Sequence, residues 1–254
     1  MIAGYKPRTI LNRGDPRLRG TLTWLSLDGH FVNTGNFGGQ INIPPSTAGW
    51  APSPLAGTFW AGDATPSSSQ ITALFTTTLM GVNGSARRTI FFEGCLDPAE
   101  TNTSGFWIFG GAGSGNFLSV GNYTSGNFGV DAGAGLSITL AITASGQTTT
   151  PEFFRAVVRY NGTTLFLDVY SYNPSTRAWT RTSGSVAAAL TTATAAGTEL
   201  AINYFGSTTT PSDVSGLSYL GILGGALWTD AETQAFLVDP SPLWSPAPSE
   251  ARLY

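Results

Sequence analysis

A single antiparallel β-sandwich is the fold that this sequence predicts, and three observations predict it. Short segments rich in β-branched and aromatic residues recur along most of the chain, each bounded by Gly, Asn, Ser or Pro. One pair of them forms a clear hairpin, and helical signals are confined to one stretch near the C-terminal end. With 15 Phe, 8 Tyr and 7 Trp and only 11% charged residues, the 254-residue chain carries enough bulky apolar side chains to build a core and does not have the composition of a disordered chain. We read residues 21–247 as one domain, preceded by an extended basic arm over 1–20 and followed by a tail over 248–254.

The elements follow in order. In TLTWLSLDGHFV, Leu22, Trp24 and Ser26 alternate with Thr23, Leu25 and Leu27, and Asp28-Gly29 ends the strand. Residues 33–70 are rich in Gly, Pro and Ser yet carry Phe37, Trp50, Phe59 and Trp60. They read as a long loop region holding one or two short strands and packing across a sheet face, because structureless loops of that length are uncommon unless they serve something. From residue 71 the strand signals become regular: ITALFTTTLM, RRTIFFEGCL, GFWIFGGA, NFLSVGNY, NFGVDAG and LSITLAITA. Gly-Asn-Phe recurs at 35, 115 and 126, but the spacings are unequal and the flanks differ, so it is turn chemistry before a strand-starting aromatic rather than a repeat.

The hairpin is PEFFRAVVRYNGTTLFLDVYSYN. Phe154, Ala156 and Val158 share one face, Phe153, Arg155, Val157 and Arg159 the other; Asn161-Gly162 makes the turn. In the return strand Leu165, Leu167 and Val169 alternate with Phe166, Asp168 and Tyr170. RAWTRTSG, ELAINYF and LSYLGILGGALW add further strands. The helix signal is Thr229-Asp230-Ala231-Glu232, a capping box with Thr229 as N-cap and Glu232 at N3, leading into TQAFLV and stopped by Asp239-Pro240. Four prolines then extend the chain, and Leu243 and Trp244 are the residues expected to anchor it back onto the body.

In this order the elements are similar to a known family. FFRAVVRYNGTTLFLDVYSYN resembles the paired strands of laminin-G-like domains, and LSYLGILGGALWTDAETQAFLVDPSPLWSP resembles their closing signature of a small-residue strand, an aromatic, a short helix and a Pro-Trp tail. Such endings are familiar in concanavalin A-like proteins of tailed bacteriophages. The likeness runs over residues 70–247 and is most specific over 219–247. It implies a concanavalin A-like jelly roll with an extended N-terminal arm and one short C-terminal helix. Where the family often has Trp-His before the first paired strand, this chain has Phe153-Phe154, which fills a core equally well. Calcium-binding members use Asp and Asn at a sheet rim. Here only Asp131, Asp213 and Asn203 fall at loop positions by the sequence pattern; they assemble no site and read as ordinary turn residues.

Catalytic machinery is not legible. The Glu-x-Asp-x-x-Glu spacing of glycoside hydrolases on this fold does not occur, and Glu93, Asp97 and Glu100 are interrupted by Gly94, Cys95 and Pro98. His30 is the single histidine, no Gly-x-Ser-x-Gly elbow exists, and GGAGSG at 110–115 lacks the Lys-Ser/Thr of a phosphate loop. Cys95, the single cysteine, reads as a small buried hydrophobe. No catalytic residue, metal or cofactor is expected.

Surfaces are what remain. Lys6, Arg8, Arg13, Arg17 and Arg19 face only Asp15 within the first 20 residues of a chain whose net charge is −3. They form a partner-binding arm or, equally, a solvated terminus. Five spaced cations without interleaved aromatics make a poor nucleic-acid surface. Trp50, Trp60 and Trp179 lie in or beside polar, Pro- or Thr/Ser-rich segments and are candidates for stacking on sugar rings. No apolar run has the length of a signal peptide or a membrane span, so the four Asn-x-Ser/Thr matches at Asn83, Asn102, Asn122 and Asn161 carry no weight as glycosylation sites. The expectation is a non-enzymatic structural protein of a tailed-phage virion, a capsid decoration, minor capsid or tail-associated component. It would be made in the host cytoplasm, bind neighbouring virion subunits and form a homo-oligomer, with a trimer as the family-level guess. The alternative is a lectin-like carbohydrate-binding module, a host-receptor adhesin; a glycan-degrading enzyme using Glu93 is third.

Overall fold

The computed structural model describes residues 11–26, 32–33, 41–42, 49–53, 57–61, 70–76, 80–96, 104–109, 118–124, 127–131, 137–141, 152–173, 176–187, 199–205 and 216–244. In chain order the strands are β1 (Thr21–Ser26), β2 (Val32–Asn33), β3 (Ile41–Asn42), β4 (Gly49–Ser53), β5 (Gly57–Ala61), β6 (Gln70–Thr76), β7 (Arg88–Leu96) and β8 (Ser104–Phe109). They continue as β9 (Leu118–Thr124), β10 (Asn127–Asp131), β11 (Ser137–Ala141), β12 (Glu152–Tyr160), β13 (Thr164–Asn173), β14 (Ala178–Ala187), β15 (Glu199–Phe205) and β16 (Gly216–Gly224). One helix, α1 (Asp230–Val238), follows, with 3₁₀ turns at Pro16–Leu18 and Ser241–Leu243.

These strands form two antiparallel sheets. The larger runs β14-β13-β12-β7-β16-β1-β2, with β5 on the start of β16 and β4 on β5; the smaller runs β11-β10-β9-β8-β15-β6-β3. They meet face to face. At Gly184 of β14, the position a Cβ would take lies 2.8 Å from Leu140 and 3.0 Å from Ile138 of β11, so the sheets approach too closely there for a larger residue. The inter-sheet core is the alternate set of the larger sheet: Ile90 and Phe92, Phe154, Ala156 and Val158, Leu165, Leu167 and Val169, Leu220 and Ile222, all buried.

The predicted hairpin folds in the expected register, with Val158 opposite Leu167 and Ala156 opposite Val169. Asn161 organises the turn: its Oδ1 accepts from the N–H groups of Thr163 at 2.9 Å and Thr164 at 2.8 Å, while Gly162 takes a φ of 106° that a side chain would resist. The capping box also forms, with Glu232 N–H donating to Thr229 Oγ1 at 3.2 Å and Thr229 N–H to Glu232 Oε2 at 2.7 Å.

Residues 33–70, expected to hold one or two short strands, hold three, β3, β4 and β5, of which β4 and β5 pair as a hairpin. Pro52 concealed the strand. A proline is tolerated there because, among the described residues, β4 pairs with β5 only and so lies at a sheet edge.

Candidate functional site

The outer face of the larger sheet, turned away from the smaller one, carries the chemistry. Antiparallel register arranges its residues in rows. One row reads Ser185, Phe166, Arg159, Thr89, Leu223 and Leu22; the next reads Ser183, Asp168, Val157, Phe91 and Gly221. A third is Arg181, Tyr170, Arg155, Glu93 and Tyr219, and a fourth begins Trp179, Tyr172 and Phe153.

Most of this face is covered by the chain itself. Leu11, Leu22, Phe91, Val157, Tyr219, Leu223, Trp228, Phe236, Leu237 and Leu243 form a second apolar core between the sheet and α1, sealed by residues from both ends of the described chain. Gly221 makes room for the Phe91 ring, whose Cζ lies 2.2 Å from where a Cβ would be, and Phe91 in turn stacks on Trp228 at 4.7 Å. Trp228 is bound on every polar side. Its Nε1–H donates to Arg17 O at 2.8 Å, its backbone N–H to Thr89 Oγ1 at 3.0 Å, and its carbonyl accepts from Arg159 at 3.1 Å.

Beneath α1 the polar residues of the rows form a closed ionic network. Asp168, 2% exposed, accepts from Arg159 at 3.0 Å, Arg181 at 2.7 Å and Ser183 Oγ at 2.6 Å; Arg159 also meets Asp230 at 2.7 Å, and Arg181 donates to Gln234. Burial opposes the charge on Asp168. The hydrogen bonds from Ser183 and Arg181 and the two guanidinium charges outweigh it, so its carboxyl titrates below the ordinary value. In the third row Arg155 pairs with Glu93 at 2.8 Å and donates to the last carbonyls of the helix, Leu237 O at 2.9 Å and Val238 O at 3.1 Å. A cation thus satisfies helix-end acceptors that would otherwise lack partners.

Among the described residues the cover from α1 stops at that helix end, and the fourth row extends past it, with Phe153 buried and Tyr172 and Trp179 half-buried. Here Trp179 stacks on Tyr170 at 5.0 Å and 18°, lies 5.3 Å from Tyr172 at 49°, and has the Arg155 guanidinium 4.8 Å from its ring centroid. All four side chains are half-buried. Val238, half exposed, borders them at the end of α1. The result is an aromatic platform with a cation set into it, chemistry suited to the apolar face of a sugar ring and its hydroxyls. From the strand register, Glu93 and Asp168 sit two strands and two residues apart, about 12 Å between backbones, and both are held in ion pairs.

The residues singled out in the sequence fare differently. Lys6 and Arg8 lie outside the described residues, and Arg13 is exposed. Arg17 and Arg19 are engaged within the chain itself. Arg17 is 6% exposed and holds Asp15 through two side-chain hydrogen bonds, at 2.9 and 2.7 Å, while Arg19 clasps Glu232 and the carbonyl of Leu227. Residues 11–19 are therefore packed on the body rather than held out from it, with Asn12 N–H bonded to Leu243 O at 2.8 Å. Trp50 and Trp60 are paired opposite one another on β4 and β5; their side chains lie outside the described set. They do not join Trp179. Five strand spacings, about 24 Å, separate Trp60 from it across the sheet.

Asp131 and Asn203 are strand residues on β10 and β15 rather than loop residues, three spacings or about 14 Å apart, and Asp213, His30, Asp97 and Glu100 lie outside the described residues. Among the described residues no cluster of three or more His, Cys, Asp or Glu is placed to hold a metal, and no helix is long and apolar enough to cross a membrane. Tyr170, Tyr172 and Arg155 were missed as site residues. The alternation that put Tyr170 on the face opposite Val169 was the available signal, but nothing local said that β14 would bring Trp179 alongside.

No protein-family model and no curated protein matches the sequence. Solved structures do. The binding domain of botulinum neurotoxin DC in complex with rat synaptotagmin II aligns with a TM-score of 0.58 at 8% identity, over 85% of this chain and 51% of that one. A structure of botulinum neurotoxin type C, described as dependent for cell entry upon interaction with two ganglioside molecules, aligns with a TM-score of 0.60 at 10% identity, over 85% and 50%. The binding domain of botulinum neurotoxin DC in complex with SialylT gives 0.51 at 8%, over 86% and 50%. At such identities the likeness is one of fold, a β-sandwich shared with receptor-binding domains, and the chain spans about half the length of each.

Proposed function

We propose that this chain is a non-enzymatic, lectin-like recognition module that binds a carbohydrate on its outer sheet face. The observation that carries the reading is the half-buried Tyr170, Tyr172 and Trp179 platform with Arg155 set against it, beside the end of α1. The shared fold with domains that bind receptors and gangliosides supports it. Tyr170 already covers part of the indole, so the sugar would lie along the Tyr172 side, with Arg155 and the tyrosine hydroxyls fixing its orientation. A glycan array followed by titration tests this. Binding that Tyr172→Ala and Trp179→Ala both reduce at least about tenfold supports it; no binding to any glycan, or binding indifferent to both changes, refutes it.

A second reading keeps the chain as a virion component of a tailed phage, contacting neighbouring subunits through its termini. It rests on the likeness of residues 219–247 to the closing segments of phage-encoded domains, and the adhesin form of the first reading is compatible with it. Purified particles should then contain the chain, and their proteome lacking it would sink the idea.

A further inference from the structure

β14 is the outermost strand of the larger sheet, paired among the described residues with β13 alone. It is long and regular: all ten of its residues, Ala178 to Ala187, are in register with Asn173 to Thr164, without a bulge. Long, flat edges invite a further strand, and proteins usually blunt them with Pro, Lys, bulges or a covering segment. The sequence AWTRTSGSVA contains no Pro and no Lys. Its one charge, Arg181, is turned onto Asp168 at 2.7 Å and so does not guard the edge. Directly beneath, β11 is the last strand of the smaller sheet, and the contact of Gly184 with Ile138 and Leu140 brings both sheets to an end on the same flank.

We infer that a second copy of this chain adds to β14 across a two-fold axis, making one continuous sheet through both copies. The inference goes beyond the carbohydrate reading and stands without it. The strand is complementary to its own antiparallel copy. Residues directly opposite one another share a face, so the outer-face set Trp179, Arg181, Ser183 and Ser185 must meet itself. An axis through Thr182 places Arg181 against Ser183 and Trp179 against Ser185 of the second copy, with no like charges opposed, whereas an axis through Arg181 would oppose two guanidinium groups. The Thr182 axis keeps both platforms on one side of the joined sheet. The two Trp179 residues then stand six residues apart along the strands, about 20 Å, a spacing that turns two weak sites into one bivalent surface.

The test uses the full chain. Sedimentation equilibrium at micromolar concentration is expected to give twice the chain mass, and Thr182→Lys, which opposes two lysines at the axis, weakens association at least about fivefold. Thr182→Cys places two thiols at backbone separations within disulfide reach, about 4.5 to 5.5 Å. Mild oxidation therefore yields a covalent dimer, while the wild-type chain, which keeps Cys95, stays uncrosslinked under the same conditions. A monomeric wild type overturns the inference, as does a dimer that Thr182→Lys leaves intact or that Thr182→Cys fails to crosslink.

Discussion

The covered and the open parts of the outer sheet face are made of the same strands and differ in what the rest of the chain does to them. Over the first three rows, α1 and residues 11–19 and 240–244 bury Trp228, Phe236 and Leu237 and close every strong charge into a pair. In the fourth row the same strands present Tyr172 and Trp179, half-buried and beyond the end of the one described helix. Large aromatic side chains buried under a cap contribute stability; left half-buried at its margin, they add little to stability and are available to a ligand. The two regions should therefore separate under mutation.

Trp228→Ala should have the largest effect, about 3 to 5 kcal/mol in chemical denaturation, because it opens a cavity against Phe91 and Phe236 and orphans the Arg17 carbonyl. A loss under 1 kcal/mol would mean that the cap is dispensable. Asp168→Ala should cost about 3 kcal/mol by leaving Arg181 without its carboxylate and Arg159 with Asp230 alone. If binding fell and stability did not, the network would belong to the open region instead.

Glu232→Ala should cost about 1 kcal/mol, since the capping box and the Arg19 contact go together. Its carboxyl is held down to about 2 from an ordinary 4.5, first by the Arg19 hydrogen bond and, against some burial, by Thr229. This contribution is complete above the unfolded value near 4.5 and is lost as pH falls toward 2, so the gap between wild type and Glu232→Ala in acid denaturation should narrow over that window. Trp179→Ala should cost least, under about 1 kcal/mol, while reducing glycan binding most. A large stability loss there would erase the distinction between the two regions.

Much of the sandwich was legible because period-2 alternation and turn residues act within a few positions. Phe154, Ala156 and Val158 against Leu165, Leu167 and Val169 is such a pattern, and the structure keeps it. The site was legible only in fragments. Trp179 stood out by its polar surroundings, whereas Arg19 read as part of a basic arm because its partner, Glu232, is over 200 residues away, as is the Trp228 indole that holds the Arg17 backbone carbonyl. Sequence composition counts charges without showing whether they are already paired.

By itself, then, the sequence determined the strands, the Asn161-Gly162 turn and the Thr229 cap, since each is stabilised by hydrogen bonds and side-chain periodicity spanning a few residues. Tertiary structure alone decided the strand order that sets Tyr172 beside Trp179, the docking of α1 on the outer face and the point at which that cover ends. Those outcomes depend on pairings between distant segments, Thr89 with Trp228 and Arg155 with Val238 among them, whose energies arise only once the sheet exists to hold them.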